Sequence, residues 1–302
     1  MKATHLTTEY LMKPLGMDIP RPRFYWNCEG GIKQTAYQII AKSGEETLWN
    51  SGKVASASMT HIAYEGRPLK SRERVYWSVK LWDENGVGGE ISTSWFEMGL
   101  LEASDWKAKW ISGNYQPKKN TRYPVDCFQK AFSAKKGIKK ARLYITACGV
   151  YEATLNGRRV GEFILAPGST DYRKRIQYQT YDVTGLIGEE NTLDIQLADG
   201  WYRGSIGCFG QTNVFGRQTK LLCQLELTYA DGNVQTICSD ESFRWSNDGP
   251  IRFADLKDGE VVNAAMAPSY SGHAVVTEEK VTPTASNNVF PKEQEAFTPK
   301  KE

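Results

Sequence analysis

Helical periodicity is nearly absent from this 302-residue chain. Short alternating runs bounded by Gly, Asn, Asp and Pro take its place, so strands and turns are expected throughout. Histidine is scarce: His5, His61 and His273 are the only three. No HExxH occurs and no Cys/His set has zinc spacing. A Ser–His–Asp triad would need one of these histidines, and no GxSxG accompanies them. Neither a GxxxxGK[ST] loop nor a GxGxxG opening a helix is present, which removes support for nucleotide chemistry. The glycines of "YRGSIGCFG" read as turn residues.

Charge of one sign is also lacking. Lys and Arg number 38 against 35 Asp and Glu, a net charge of +3, and without a basic excess no nucleic-acid partner is expected. No run has the length of a membrane helix, so no membrane partner is expected. The opening "MKATHLTTEYLMKPLGMD" has no apolar leader core. A cytoplasmic setting is therefore expected, although a secreted chain with its leader removed would read the same. The six cysteines, Cys28, Cys127, Cys148, Cys208, Cys223 and Cys238, include no CxxC pair. Most fall in strand-like runs and read as small buried hydrophobes in a reducing compartment.

Aromatics are what the chain has in plenty, with nine Trp and fifteen Tyr. They favour strands, and their faces suit flat apolar ligands such as sugar rings. In "VYWSVKLWDENG", Val75, Trp77, Val79 and Leu81 alternate with Tyr76, Ser78, Lys80 and Trp82, and "DENG" supplies a turn. Roughly six or seven such strands in the first hundred residues predict a fibronectin III or immunoglobulin-like β-sandwich over residues 1–104. After the joint "LEASDWKAKWISG", in which Trp106 and Trp110 are candidate anchors, strands resume over 105–272 and predict a larger jelly-roll β-sandwich. There "LNG" at 155–157 favours a type I′ hairpin, and "ADG" at 230–232 marks another turn. The polar, proline-bearing segment 273–302 is expected to be a linker or disordered. The fold class is thus all-β, two sandwiches in succession.

Carboxylate pairs for sugar hydrolysis cannot be recognised by spacing, because the fold sets their separation. Asp171, Asp182, Asp199 and Glu226 are candidates. Asp182 and Asp199 are as well explained as turn residues bonded to their own backbone.

"YEATLNGRRVGE", "APGSTDYRKRIQYQTYDVT" and "ADGWYRGSIG", in that order, resemble the N-terminal region of bacterial α-L-rhamnosidases. "EYLMKPLGMDIPRPRFYW", "VYWSVKLWDENG" and "WKAKWISG" match the same pattern, so the resemblance spans about residues 6–268. "DLKDGEVVNAAM" departs from it, since the family usually has Tyr before Asp-Gly-Glu. Asp258 and Glu260 therefore carry no role by analogy. The resemblance implies a non-catalytic accessory part whose partner is a C-terminal (α/α)6 catalytic barrel, with no catalytic residue in this chain. It also implies a second reading, a rhamnose-binding module that uses calcium. Oxygen ligands for such an ion would come from Asp171, Asp199 and Asn213, with Gln177 near them. Trp201, Tyr202, Arg203 and Asp171 would meet a rhamnose-containing glycan by ring stacking and hydroxyl hydrogen bonds. An adhesion-type sandwich array is the third reading.

Overall fold

The computed structural model describes residues 1–118, 121–286 and 289–298. Its residues fall into two units, the first Met1–Asp105 and the second having Trp106–Ser286 as its body. Both are built from strands, as the sequence pattern predicts. Among the described residues no helix is long and apolar enough to cross a membrane.

In the first unit a three-stranded sheet (Lys2–Thr8, Arg23–Glu29, Ile62–Ala63) faces a five-stranded one. The five-stranded sheet runs Leu15–Met17, Gly88–Met98, Arg74–Trp82, Ala36–Ser43, Glu46–Asn50. Side chains on a strand alternate between faces. Val75, Trp77, Val79 and Leu81 accordingly point inward onto Phe24, Trp26, Ile39 and Phe96. The expected turn after Trp82 forms because Asp83 Oδ1 accepts from the backbone N–H of Asn85 (3.0 Å) and Val87 (2.8 Å).

The second unit is a two-sheet sandwich. One sheet orders Arg158–Arg159, Val150–Leu155, Glu190–Ala198, Asp126–Ser133, Arg244–Ser246 and Gly272–His273. The other orders Val275–Val276, Ile111–Ser112, Lys220–Tyr229, Ile138–Cys148, Gln177–Asp182 and Thr284–Ala285, with Val234–Cys238 also paired to Lys220–Tyr229. Leu143, Ile145, Tyr151, Ile195, Leu197, Leu225 and Phe243 fill the space between them. Asn156 and Gly157 both have positive φ (54° and 73°), the conformation a type I′ turn requires. Leu155 consequently pairs directly with Arg158.

Residues 273–285 of the segment expected to be a linker or disordered tail contribute short strands. His273 pairs with Arg244, Val275–Val276 with Ile111–Ser112, and Thr284–Ala285 run parallel to Gln177–Tyr178. Short alternations too brief to register in composition suffice here, because a formed sheet edge supplies the partners. Phe290 stacks on Phe163 with ring centroids 5.0 Å apart. Of this segment, residues 287, 288 and 299–302 lie outside the described residues, as do 119 and 120 of the earlier polar loop.

Candidate functional site

The two segments singled out in the sequence, 166–184 and 198–207, do converge in the second unit. They meet through Tyr172, whose ring lies 5.3 Å edge-on to Tyr202 and 5.2 Å from Phe215. Their conspicuous side chains mostly turn inward. Tyr202 is buried and Trp201 half-buried in a cluster with Trp110, Cys148, Ile176 and Leu222. Arg203 is 3% exposed, so neither it nor Tyr202 presents the open surface a sugar ring would need. The reason is local: Gly200–Arg203 form a single helical turn, which points successive side chains around an axis that the sandwich covers.

Charge pairing explains how an arginine sits there. Arg203 Nε donates to Asp199 Oδ1 at 2.8 Å, and Nη2 lies 2.6 Å from the same oxygen. Arg203 Nη1 also donates to Tyr115 OH. The tyrosine in turn donates to Asp126 Oδ2 at 3.2 Å. Asp126 is wholly buried, and Thr219 Oγ1 (2.6 Å) and Trp245 Nε1 (2.9 Å) donate to its oxygens. Burial pushes both the Asp126 and Asp199 carboxyls up, against the pull of Arg203 and these donors. Burial likewise works against the Arg203 charge, but Asp199, Tyr115 and Asp126 outweigh it and the guanidinium stays protonated. Arg203 Nη2 has the ion pair with Asp199 but no hydrogen bond, and the rest of this buried charge set is bonded, which marks it as a structural device.

The calcium ligands do not assemble. Asp171 binds the backbone N–H and Nε of Arg173 (3.2 and 2.8 Å), and those bonds hold its carboxyl below the usual range. Asp199 is occupied by Arg203. Asn213 takes a left-handed conformation (φ 59°), its N–H donating to Arg203 O at 2.8 Å and its Nδ2 to Thr212 Oγ1. Gln177 is buried within its strand. Among the described residues no group of three or more His, Cys, Asp and Glu could hold a metal ion. An oxygen already neutralised by a guanidinium is a poor ligand for a hard cation, so this donor set does not fit calcium.

What the same segments do build is an open cleft of about 370 Å3. Its floor is the solvent face of strands Val150–Leu155 and Glu190–Ala198, where Val150 pairs with Ala198 and Glu152 with Gln196. The antiparallel hairpin Ile251–Asp255 and Gly259–Val262 forms one wall through Ile251, Ala254, Leu256 and Glu260. Val125, Leu165, Gly200, Asp255 and Gly259 complete the lining. Gly200 has φ +52°, and a Cβ there would come within 2.6 Å of Val150 Cγ2, so any side chain would strain the turn and crowd the cleft floor.

The hairpin is pinned from behind. Asp255 Oδ2 accepts from Ser205 N (2.7 Å), and Oδ1 from Lys257 N (2.8 Å) and Asp258 N (3.0 Å). Asp258 accepts from Ser205 Oγ (2.6 Å) and Arg122, and these two hold its carboxyl below the usual range. In Asp258-Gly259-Glu260 the aspartate is therefore an anchor, while the glutamate faces the cleft. Glu152, Gln196, Glu260 and Leu165 were not singled out as a site from the sequence. The only signal was the outward half of two alternating strands, which does not say what covers that face.

A description of the α-L-rhamnosidase N-terminal domain matches residues 136–299, and one of the Rha78A-like N-terminal immunoglobulin domain matches 3–102. An α-L-rhamnosidase of Formosa agariphila is 38% identical over 283 residues, which cover 88% of this chain and 31% of that protein. The crystal structure of the Streptomyces avermitilis α-L-rhamnosidase complexed with L-rhamnose superposes with a TM-score of 0.85 at 26% identity, covering 94% of this chain and 46% of that one. The native Aspergillus terreus enzyme gives 0.85 at 29% identity, covering 92% and 34%. The chain spans about a third of the length of the curated relatives it matches, 31% and 29% for two of them.

Proposed function

The chain belongs to the α-L-rhamnosidase N-terminal domain family, and we propose that it is the accessory, non-catalytic part of an enzyme that releases terminal α-L-rhamnose. On this reading the glycosidic bond is broken by residues outside this sequence. They sit in the (α/α)6 barrel that the family resemblance implies, and the two sandwiches serve that barrel as scaffold. One observation carries the reading: the span matched here is less than half of every relative reported above.

The carboxylates agree with it. Glycoside hydrolysis needs a general acid whose pKa is raised by an apolar setting, beside a second carboxylate. The two glutamates of the cleft are open to water: the Glu152 side chain is 60% exposed and 3.3 Å from Arg159 Nη2, and Glu260 is exposed. The buried aspartates, Asp126, Asp199 and Asp255, are enclosed by their own donors.

The test is release of nitrophenol from an aryl α-L-rhamnoside. This chain alone should give no more than a mock-purified control. It should co-elute in gel filtration with a separately produced barrel portion of the enzyme. Hydrolysis above control that is removed by Glu152→Gln or Glu260→Gln would overturn the reading.

A further inference from the structure

We propose that Asn85, in the turn joining strands Arg74–Trp82 and Gly88–Met98, is a site of spontaneous deamidation and isoaspartate formation, and that the fold withholds the same chemistry from Asn156. The site is independent of the accessory role proposed above.

Asn-Gly occurs twice in the chain, at Asn85-Gly86 and Asn156-Gly157. Each pair lies in an exposed turn between antiparallel strands. The reaction is intramolecular. Hydroxide takes the glycine N–H proton, and the freed nitrogen attacks Cγ of the asparagine. The Cγ–Nδ2 bond breaks, and the leaving nitrogen departs as ammonia with a proton from water. A five-membered succinimide remains, which water then opens. Attack at Cγ gives aspartate. Attack at the main-chain carbonyl carbon breaks the backbone C–N bond and gives isoaspartate, with the chain rerouted through Cβ and Cγ. On balance one water is consumed and one ammonia released, with nothing oxidised or reduced. Nucleophile and electrophile already share one short stretch of chain, and glycine brings no side chain to hinder their approach.

The two attacking residues are alike. Gly86 and Gly157 both have φ 73°, and both have open space where a Cβ would sit. The two asparagines differ. Asn156 Nδ2 donates to Leu186 O (2.8 Å) and Asn191 Oδ1 (2.9 Å), while its Oδ1 accepts from Thr192 N (2.8 Å). Asn191 is itself buried, which fixes that partner in place. The Asn156 amide carbon therefore cannot turn toward Gly157 N without breaking these three bonds. Asn85 is exposed, and its side-chain amide makes no hydrogen bond among the described residues; only its backbone N–H is held, by Asp83 Oδ1. What opposes the reaction there is one turn bond, Gly86 N to Asp83 O at 3.0 Å.

A single such bond changes the population of the open form by about a factor of five. Three bonds against one place Asn85 at least about tenfold ahead of Asn156. The product sets a third carboxylate beside Asp83 and Glu84. Glu84 already accepts from Ile32 N (3.0 Å) and Lys33 N (3.2 Å), so the new charge enters a turn that is acidic before it reacts.

The experiment incubates the whole chain at mildly alkaline pH, folded and in urea. Both positions are followed by peptide mapping with mass spectrometry, and isoaspartate is counted with an isoaspartyl methyltransferase. In the folded chain Asn85 should be converted at least about tenfold faster than Asn156. In urea the two should react at comparable rates, because the bonds around Asn156 are gone. Asn85→Ser should remove nearly all isoaspartate from the folded chain while the thermal midpoint holds, since the replaced amide bonds to nothing. Three results would each overturn the assignment. One is Asn156 reacting as fast as Asn85 in the folded chain. Another is isoaspartate at the wild-type level in folded Asn85→Ser. The third is a gap that persists undiminished in urea, which would place the selectivity in the neighbours Glu84 and Leu155 rather than in the fold.

Discussion

Arg203 Nε meets Asp199 Oδ1 at 2.8 Å across one helical turn, with both side chains closed off from solvent. The pair sets the inward course of Trp201 and Tyr202, and Tyr115 ties it to Asp126 on the neighbouring strand. Removing one partner of a buried pair strands the other charge, which costs about 3–5 kcal/mol. Arg203→Ala should destabilise the second unit by that amount in urea unfolding. Arg203→Lys should recover only part, because an ammonium cannot reproduce the guanidinium fork. A loss under about 1 kcal/mol for Arg203→Ala would show that the network is dispensable.

The first unit should depend on pH in the opposite sense to Asp126. Arg67 lies 2.7 Å from Glu46 Oε1 and 2.6 Å from Glu73 Oε1. Burial pushes the Glu73 carboxyl up, but the hydrogen bonds and charge of Arg67 and the Lys70 N–H prevail, leaving it below its ordinary 4.5. Arg67 holds Glu46 down as well. A lowered carboxylate stabilises the fold fully above its unfolded value, and that contribution disappears as pH falls through the folded one. Arg67→Ala should therefore cost about 1–2 kcal/mol at pH 7, and the gap to wild type should close on acidification below 4.5. A gap that stays constant down to about pH 3 would refute the linkage.

Trp110 packs against Cys148, Tyr172, Ile176, Tyr202 and Leu222, and its carbonyl accepts from Thr277 N at 2.8 Å. Trp110→Ala should cost about 3–5 kcal/mol. Trp106 is only half-buried, its ring edge-on to Tyr178 at 5.4 Å, so Trp106→Ala should cost less. Equal, negligible losses at both would mean that neither indole anchors this segment.

All six cysteines are free thiols, and Cys208 alone is exposed. Burial pushes the Cys28 and Cys238 thiols up, which lowers their thiolate fraction at neutral pH. With Ellman's reagent, the native protein should show one fast thiol, lost in Cys208→Ser, and the others only in denaturant. A fast phase of two or more thiols would contradict the partial burial of Cys28 and Cys238 and the full burial of Cys127, Cys148 and Cys223.

What the sequence determined by itself is local. Alternation placed the strands, and Asp83, Asn156 and Gly157 placed turns, because such residues act on backbone within a few positions of themselves. Ordered motifs along the chain were enough to reveal the rhamnosidase resemblance. The direction in which a side chain points, and what meets it, belonged to tertiary structure. Nothing local distinguishes an outward Trp201–Tyr202–Arg203 from an inward one. The choice depends on Tyr115, which is 88 positions from Arg203, and on Asp126 and Thr219, which are 93 positions apart. The cleft depends likewise on Glu152, Leu165, Gln196 and Glu260, which come together only when two strands pair and a distant hairpin folds over them. A carboxylate shows its chemistry in the sequence, but only the fold shows whether a guanidinium, a backbone N–H or open water faces it.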